Sequence, residues 1–216
     1  MTEILDHLIL GCSDLGRGIA HLEKLSGYKA ALGGSHPGRG TRNALLKIGR
    51  TSYLEILAPD PAQSELAWHK EIRTLFEPLL VGYAIRQKCL EQFAATLRQR
   101  GIRCQGPIAG SRRRPDGQLL SWKTLSYVDD REGLLPFYID WDERSAHPAS
   151  DAPGSIALIT YARSGHLVEE TTPPPGTRLV SMPEKPVQLR ARLRGALGEF
   201  ELLSRAVSSE AWVATS

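Results

Sequence analysis

The sequence predicts an α+β fold in which two βαβββ modules pair into a curved mixed sheet, followed by a small C-terminal β extension. Residues 4–58 give the order strand, helix, strand, strand, strand, and residues 80–142 give the same order again. Beyond residue 145, apolar and polar side chains alternate with the period of strands. We therefore predict a domain at 1–145 that contains both modules and a linker with one helix at 59–79, and a β-rich extension at 146–216.

The first module begins with an apolar strand at residues 4–10. Ser13 and Asp14 are favourable N-cap residues, and the helix that follows them ends at Gly27. Three further strands are predicted at 28–32, 41–48 and 51–58, with the glycine-rich segment 33–40 as a loop.

The second module follows the first at a nearly constant offset. Its predicted helix carries Leu90, Ala94 and Leu97, 75 positions after Leu15, Ile19 and Leu22. Strands are predicted at 80–86, 102–107, 119–128 and 135–141. The run Arg112-Arg113-Arg114 precedes the turn signal Pro115-Asp116-Gly117, so we expect it on a loop, facing solvent or an anionic ligand.

The extension is predicted to contain a strand at 155–161 and a rigid proline-rich loop at 171–176. A hairpin of strands 187–193 and 199–203 is expected around Gly195 and Gly198. The extension could cover the sheet as a lid, pack on its back or pair with a second copy, and the residue pattern leaves these alternatives open.

Composition and charge are those of a soluble globular protein, with 41% hydrophobic residues, 24% charged residues and a net charge of +3. No apolar run approaches the roughly 20 residues that span a bilayer, so we predict a cytoplasmic protein with no membrane partner. A nucleic-acid partner is not expected, because no broad basic stripe is interleaved with aromatics. The three cysteines lack CxxC spacing and are interpreted as buried free thiols.

Two side chains, His7 and Glu55, are candidate catalytic and metal-binding groups. His7 shares a strand face with Leu5 and Ile9, and Glu55 shares one with Tyr53 and Leu57, so each is a polar group on a largely apolar face. A carboxylate on such a face needs a partner, which could be a metal, an arginine or a substrate donor. A buried hydrogen bond between His7 and Glu55 themselves is an equally open interpretation.

The chain resembles the vicinal oxygen chelate superfamily, which includes glyoxalase I, extradiol dioxygenases and bleomycin resistance proteins, and within it the glyoxalase-like domain family. The resemblance covers roughly residues 4–160 and is moderately specific for the fold. It rests on five segments taken in order, which are Leu5-Asp6-His7-Leu8-Ile9-Leu10, residues 33–43, Tyr53-Leu54-Glu55, Arg114-Pro115-Asp116-Gly117 before Trp122, and residues 135–141. It implies a cup-shaped sheet that holds a divalent metal with ligands from the first and last strand of each module.

In this chain only the first module has ligand-type residues at those positions. The second module has Gly82 and Ile139 where the repeat places the equivalents of His7 and Glu55, and Asp140 would face the other side without a bulge. The set is two ligands short of the four that zinc takes. His36 or His147 could complete a two-histidine, one-carboxylate set. The cofactor therefore stays open, with a divalent metal (Zn, Fe, Mn or Ni) as the candidate.

The candidate substrate-binding residues are His36, Thr41, Asn43, Trp122 and Trp141. Polar donors between aromatic walls are typical of small-molecule pockets. The sequence has no GxSxG or comparable nucleophile motif, so we predict that a metal or a hydrogen-bond cluster polarises a substrate oxygen, with Glu55 as ligand or general base. A lyase, isomerase or dioxygenase is the first hypothesis.

A non-catalytic protein that binds or sequesters a small molecule, in the manner of bleomycin resistance proteins, is the alternative. Its distinguishing feature is the lack of ligands in the second module. A homodimer is also expected, because modules of this superfamily often assemble in pairs.

Overall fold

The structure is a computed structural model that describes residues 4–64, 70–129, 133–164 and 188–207. It contains a closed eight-stranded barrel and a separate three-stranded sheet. No helix among these residues is long and apolar enough to cross a membrane. The α+β fold with paired modules and a C-terminal β extension is confirmed.

The barrel strands come in two sets of four. The first module gives β1 (Ile4–Gly11), α1 (Leu15–Ser26), β2 (Ala31–His36), β3 (Thr41–Lys47) and β4 (Tyr53–Pro59). The second gives β5 (Leu79–Arg86), α2 (Leu90–Gln99), β6 (Cys104–Arg113), β7 (Leu119–Tyr127) and β8 (Phe137–Trp141). A 3-10 helix at Lys70–Thr74 lies in the linker between them.

The order of strands around the barrel is β1-β4-β3-β2-β6-β7-β8-β5, closing on β1. The first and last strands of each module run parallel, β1 with β4 and β5 with β8. The modules join through a long antiparallel β1–β5 ladder on one side. On the other side, β2 and β6 meet at one residue pair, Ser35 with Arg113. We call this second junction the β2–β6 seam.

Local signals in the sequence account for the two helices. The Asp14 side chain accepts the Arg17 N–H at the start of α1, and Gly27 ends that helix at φ 77°. In α2 the apolar residues Leu90, Ala94 and Leu97 are buried, as the repeat predicts. Among the cysteines, Cys12 is buried, Cys104 is half-buried and Cys89 is exposed. The prediction of a buried thiol is therefore wrong for Cys89, which precedes α2.

Two predicted boundaries are wrong near the glycine-rich segment. Strand β2 starts at Ala31 and continues through His36, so part of the predicted loop is strand paired with β3. Arg112 and Arg113 lie at the end of β6, where they pair with Leu120 and Leu119 of β7. The turn follows them, because the Arg114 N–H donates to the Gln118 carbonyl and so closes the connection between β6 and β7.

The extension forms a sheet in the order β11-β10-β9, from β9 (Ala157–Ser164), β10 (Gln188–Gly195) and β11 (Gly198–Leu203). This confirms the predicted hairpin, whereas the proline-rich loop at 171–176 lies outside the described residues. The turn of the hairpin packs on the end of α1, where the Ala196 N–H donates to the Ser26 carbonyl. The described extension thus packs outside the barrel, and the domain division near residue 145 stays a prediction.

Candidate functional site

A pocket in the barrel interior is lined by six of the seven predicted site residues, whereas Thr41 is fully buried behind His36 and does not line it. The free space between its lining side chains, including that at its mouth, is about 450 Å³. The enclosed cavity itself is much smaller, about 30 Å³, which holds roughly two water molecules, so a larger ligand requires the lining side chains to move apart. The lining consists of His7, His36, Arg39, Asn43, Tyr53, Glu55, Arg112, Trp122, Thr124, Phe137, Ile139 and Trp141.

His7 and Glu55 meet because β1 and β4 are adjacent parallel strands with their inward faces in register. His7 is 3% exposed and Glu55 is 5% exposed. The Nε2 atom of His7 lies 3.5 Å from Oε2 of Glu55, and the ring of Tyr53 stacks on the imidazole with centroids 4.6 Å apart. The alternation of β1 and β4 thus turns both side chains inward, as expected, and brings them close together.

A β-bulge places Asp6 beside His7. The ladder between β1 and β5 shifts between Leu5 and His7, so Asp6 is the extra residue in β1. Its carboxylate is fully buried and its Oδ1 lies 2.8 Å from Nδ1 of His7. The Oδ2 atom accepts three further hydrogen bonds, from Nε of Arg86 at 3.0 Å, Nε2 of His147 at 2.9 Å and Nε1 of Trp141 at 3.2 Å.

This environment sets the protonation of Asp6 and the tautomer of His7. Burial opposes charge on Asp6, but the hydrogen bonds from His147 and His7 hold the pKa of this carboxyl far below its usual value. The ionised carboxylate only accepts, so Nδ1 of His7 carries the hydrogen and Nε2 faces the pocket. A buried carboxylate that fixes one imidazole tautomer is also the arrangement that orients catalytic and metal-binding histidines.

Glu55 is held by an amide and a guanidinium in series. Nδ2 of Asn43 donates to Oε1 of Glu55 at 2.5 Å, and Nη1 of Arg112 donates to Oδ1 of Asn43 at 3.3 Å. Burial works against charge on Glu55, but the nearby His7 and the Asn43 hydrogen bond lower the pKa of the carboxyl below its ordinary value. Glu55 is therefore ionised at neutral pH.

His36 completes the polar group around Glu55. It lies at the end of β2, with Nδ1 2.8 Å from the Thr41 hydroxyl and Nε2 3.7 Å from Oε1 of Glu55. Burial lowers the pKa of His36 to about 4, because the pocket gives a charged imidazole too little solvation. His36 is thus a neutral hydrogen-bonding group at physiological pH.

Aromatic side chains form the opposite wall. Trp122 and Trp141 lie 5.0 Å apart, and Trp122 contacts His36 edge to face at 6.0 Å. Phe137 lies 5.6 Å from the His7 ring. The pocket thus combines an apolar wall with a polar floor of His7, Glu55 and Asn43.

The second module offers no metal ligand at the predicted positions. Gly82 has no side chain, and Ile139 presents an apolar one to the pocket. Asp140 is directed away and pairs with Nζ of Lys88 at 2.8 Å. His147 contacts Asp6, whereas His7 and His36 approach different oxygens of Glu55. The carboxylate therefore occupies the space between the two imidazoles.

Within the described ranges, no three or more His, Cys, Asp or Glu side chains are arranged to hold a metal ion. The donors that are present do not fit the four-ligand set expected of zinc. The proposed ligation by His7 and Glu55 stays a prediction.

Three charged residues of the site, Asp6, Arg39 and Arg112, were not identified from the sequence. Asp6 was not singled out because simple alternation places it on the face opposite His7, and only the bulge changes this. Arg112 was expected on a loop, yet it is 3% exposed and lines the pocket. The alternation of β6 inward from the turn is the signal that could have identified Arg112.

A closed barrel of paired βαβββ modules around a polar and aromatic pocket defines a small-molecule protein of the vicinal oxygen chelate type. The glyoxalase-like domain family model matches residues 5–174, and the chain belongs to that family. No curated protein matches the sequence.

Solved structures share the fold at low sequence identity. A hypothetical protein from Staphylococcus aureus is 17% identical with a TM-score of 0.60, over 95% of this chain and 88% of its own. A methylmalonyl-CoA epimerase in complex with methylmalonyl-CoA is 22% identical with a TM-score of 0.50, over 68% of this chain and 99% of its own. A variant of the Streptomyces coelicolor methylmalonyl-CoA epimerase is 22% identical with a TM-score of 0.49, over 68% of this chain and 99% of its own.

Replacing Gly33 with alanine should damage the site through crowding. A Cβ at this position would overlap Oδ1 of Asn43 and lie 2.8 Å from Nη1 of Arg112. We expect Gly33→Ala to lower the free energy of unfolding by about 1–3 kcal/mol. Gly82→Ala is the matched control, because its nearest neighbour is 4.0 Å away. Urea denaturation that shows equal stability for both variants would contradict this packing.

The burial of His36 predicts acid sensitivity. Between its ordinary pKa of 6.5 and its lowered pKa of about 4, the unfolded chain binds a proton that the folded chain does not. Stability should therefore fall as the pH decreases through this window. His36→Gln should reduce the slope between pH 6 and 5 by roughly 1.4 kcal/mol per pH unit. Urea titrations at each pH measure this, with His21→Gln on α1 as control, and parallel profiles for wild type and His36→Gln would refute it.

Loss of the Asp6 charge should destabilise the protein strongly. Asp6→Asn leaves Arg86 without its buried carboxylate and should cost about 3 kcal/mol in the free energy of unfolding. Asp140→Asn is the control, because its ion pair with Lys88 is partly exposed and should contribute less than about 1 kcal/mol. Denaturation midpoints that fall equally in the two variants would show that burial of Asp6 has no special role.

Proposed function

We propose that the protein is an enzyme that moves a proton on a small carbonyl compound bound in the barrel. The observation that carries this proposal is the position of His7 between two buried carboxylates. Asp6 binds Nδ1 of the imidazole, while Nε2 lies 3.5 Å from Glu55 inside the pocket. The geometry is that of an imidazole oriented for acid–base chemistry.

In this proposal His7 is the general base and Glu55 is its electrostatic partner. Nε2 accepts a proton from a substrate carbon next to a carbonyl group, and Glu55 stabilises the imidazolium that forms. The lowered pKa of Glu55 favours this role over that of a proton acceptor, because a weakly basic carboxylate takes protons poorly near neutral pH. Returning the proton to the same or a neighbouring atom gives an isomerase, and expulsion of a leaving group gives a lyase.

The substrate oxygen would gain negative charge during proton removal. The guanidinium groups of Arg39 and Arg112 line the same pocket and are the cationic donors of the first and second modules, respectively. Buried donors aimed at developing charge stabilise it more than water does, because they need no reorganisation. This agrees with the predicted electrophilic mechanism and requires no ligand from the second module.

A binder without catalysis is the second candidate. The aromatic wall and the absence of second-module ligands at Gly82 and Ile139 favour it. In that case the protein would hold its ligand tightly and leave it unchanged.

Exchange of substrate hydrogen for deuterium tests the enzyme proposal without knowledge of the product. Wild-type protein in D2O is incubated with pyruvate, acetoacetate, hydroxyacetone and phenylpyruvate, and the loss of C–H signals is followed by proton NMR. We expect exchange of at least one compound, with a rate reduced about 100-fold or more in His7→Gln. Glu55→Gln should also slow exchange, whereas Asp140→Asn should match the wild type.

Two further outcomes are informative. Ligand binding without exchange by the wild type would support the sequestering protein and overturn the enzyme proposal. Metal analysis of protein purified without chelator is run in parallel on the wild type and on His7→Ala and Glu55→Ala. Stoichiometric metal that is lost in both variants would instead assign these residues as ligands.

A further inference from the structure

A buried arginine in the pocket has few partners for its charge. Arg112 is 3% exposed, and its hydrogen bond with Asn43 is long for a charged donor, at 3.3 Å. Its Nε atom is buried without a hydrogen-bond partner. Among the described residues, no carboxylate forms an ion pair with it. The Nε–H is therefore a buried donor for which the described residues supply no acceptor.

The carboxylate in the pocket lining does not pair with Arg112. Arg39 and Arg112 both line the pocket, whereas Glu55 is its only acidic lining residue. Both oxygens of Glu55 are already directed elsewhere, Oε1 to Asn43 and Oε2 to His7. A carboxylate on the ligand would therefore supply the acceptor that Arg112 does not obtain from Glu55.

Arg112 also borders a second cavity, which has a volume of about 200 Å³. There the neighbouring Arg114 is neutralised by Asp116 and Asp151, at 3.3 Å and 2.6 Å. These carboxylates make the second cavity unfavourable for an anion. The interior is thus the side on which Arg112 can receive one.

The local sequence keeps the guanidinium close to the polar floor of the pocket. Gly33 on β2 leaves the space in which Nη1 of Arg112 and Oδ1 of Asn43 meet, since a Cβ there would crowd both. The aromatic wall of Trp122 and Trp141 faces the same space. A planar carboxylate on an apolar body matches both features, because arginine binds carboxylates through two parallel hydrogen bonds.

We propose that the pocket binds small carboxylates with an apolar or aromatic body, and that Arg112 holds the carboxylate group. This inference rests on the proposed function, since it names the class of molecule that the His7 site receives. Within the carbonyl compounds considered above, it selects those that carry a carboxylate near the reacting carbon. Arg112 is then a substrate-binding residue that sets specificity.

Matched pairs of ligands test the carboxylate preference without any need for turnover. Benzoate, phenylacetate and hexanoate are each compared with the corresponding carboxamide, which has nearly the same shape but no charge. Binding is measured by isothermal titration calorimetry and by the rise in melting temperature of the wild-type protein. We expect at least one carboxylate to bind about tenfold or more tightly than its amide.

Variants then assign the preference to Arg112. Arg112→Gln should bring the affinity of the carboxylate to that of the amide, and Arg113→Gln, which changes the exposed neighbour on the same strand, should retain the wild-type preference. If Arg112→Gln fails to fold, Arg112→Lys keeps the charge but loses the two-pronged geometry and should still weaken carboxylate binding severalfold.

Equal affinity for acid and amide in all three pairs, or binding of none of them, would overturn the proposal. So would a preference that persists unchanged in folded Arg112→Gln or Arg112→Lys protein. The readout is separate from that of the proton-transfer function. A carboxylate preference in wild-type protein that lacks exchange activity would keep this inference and remove the enzyme, whereas exchange without carboxylate preference would do the reverse.

Discussion

Two almost completely buried carboxylates, Asp6 and Glu55, determine how the polar groups of this barrel are arranged. Asp6 and Glu55 are 0% and 5% exposed, and an ionised carboxylate in such a position is unstable unless polar groups replace its hydration. Asp6 accepts hydrogen bonds from four donors, which are its neighbour His7 and three side chains from other parts of the chain, Arg86, Trp141 and His147. Glu55 obtains its direct donor from β3 and lies between two imidazoles. The need to satisfy these charges ties strands of both modules, and the segment around His147, to one another.

The two modules share the same backbone fold, but they contribute different side chains to the pocket. Each module runs its first and last strands in parallel and places its helix outside the barrel. The polar floor of His7, Glu55 and Asn43, and His36 beside it, come from the first module. The second module contributes Arg112 and the aromatic wall. The two halves therefore contribute differently, because the first supplies the imidazoles, the Glu55 carboxylate and Arg39, and the second supplies Arg112 and most of the aromatic contact area.

How far the sequence predicts this structure depends on whether a feature is local. Gly27 ends α1, and the alternation of β1 and β4 sends His7 and Glu55 inward, because these outcomes follow from short-range geometry. Asp6 could not be placed in the same way, since the bulge depends on how β1 pairs with β5. Arg112 looked exposed because three consecutive arginines before a turn are usually solvated. Its burial depends on Gly33, which lies on a different strand and almost 80 residues earlier.

The β2–β6 seam gives the barrel an uneven resistance to deformation. Around the rest of the ring, adjacent strands are joined by ladders of several residue pairs, whereas here one pair, Ser35 with Arg113, closes the circle. A ring with one weak joint opens at that joint first, so thermal breathing of the barrel should concentrate between the two modules at this point. Arg112 lies next to the joint. A molecule held between Arg112 and the polar floor would bridge the β2–β6 seam. Entry to the interior would then depend on how easily the barrel wall opens at the seam, as well as on the width of the pocket mouth.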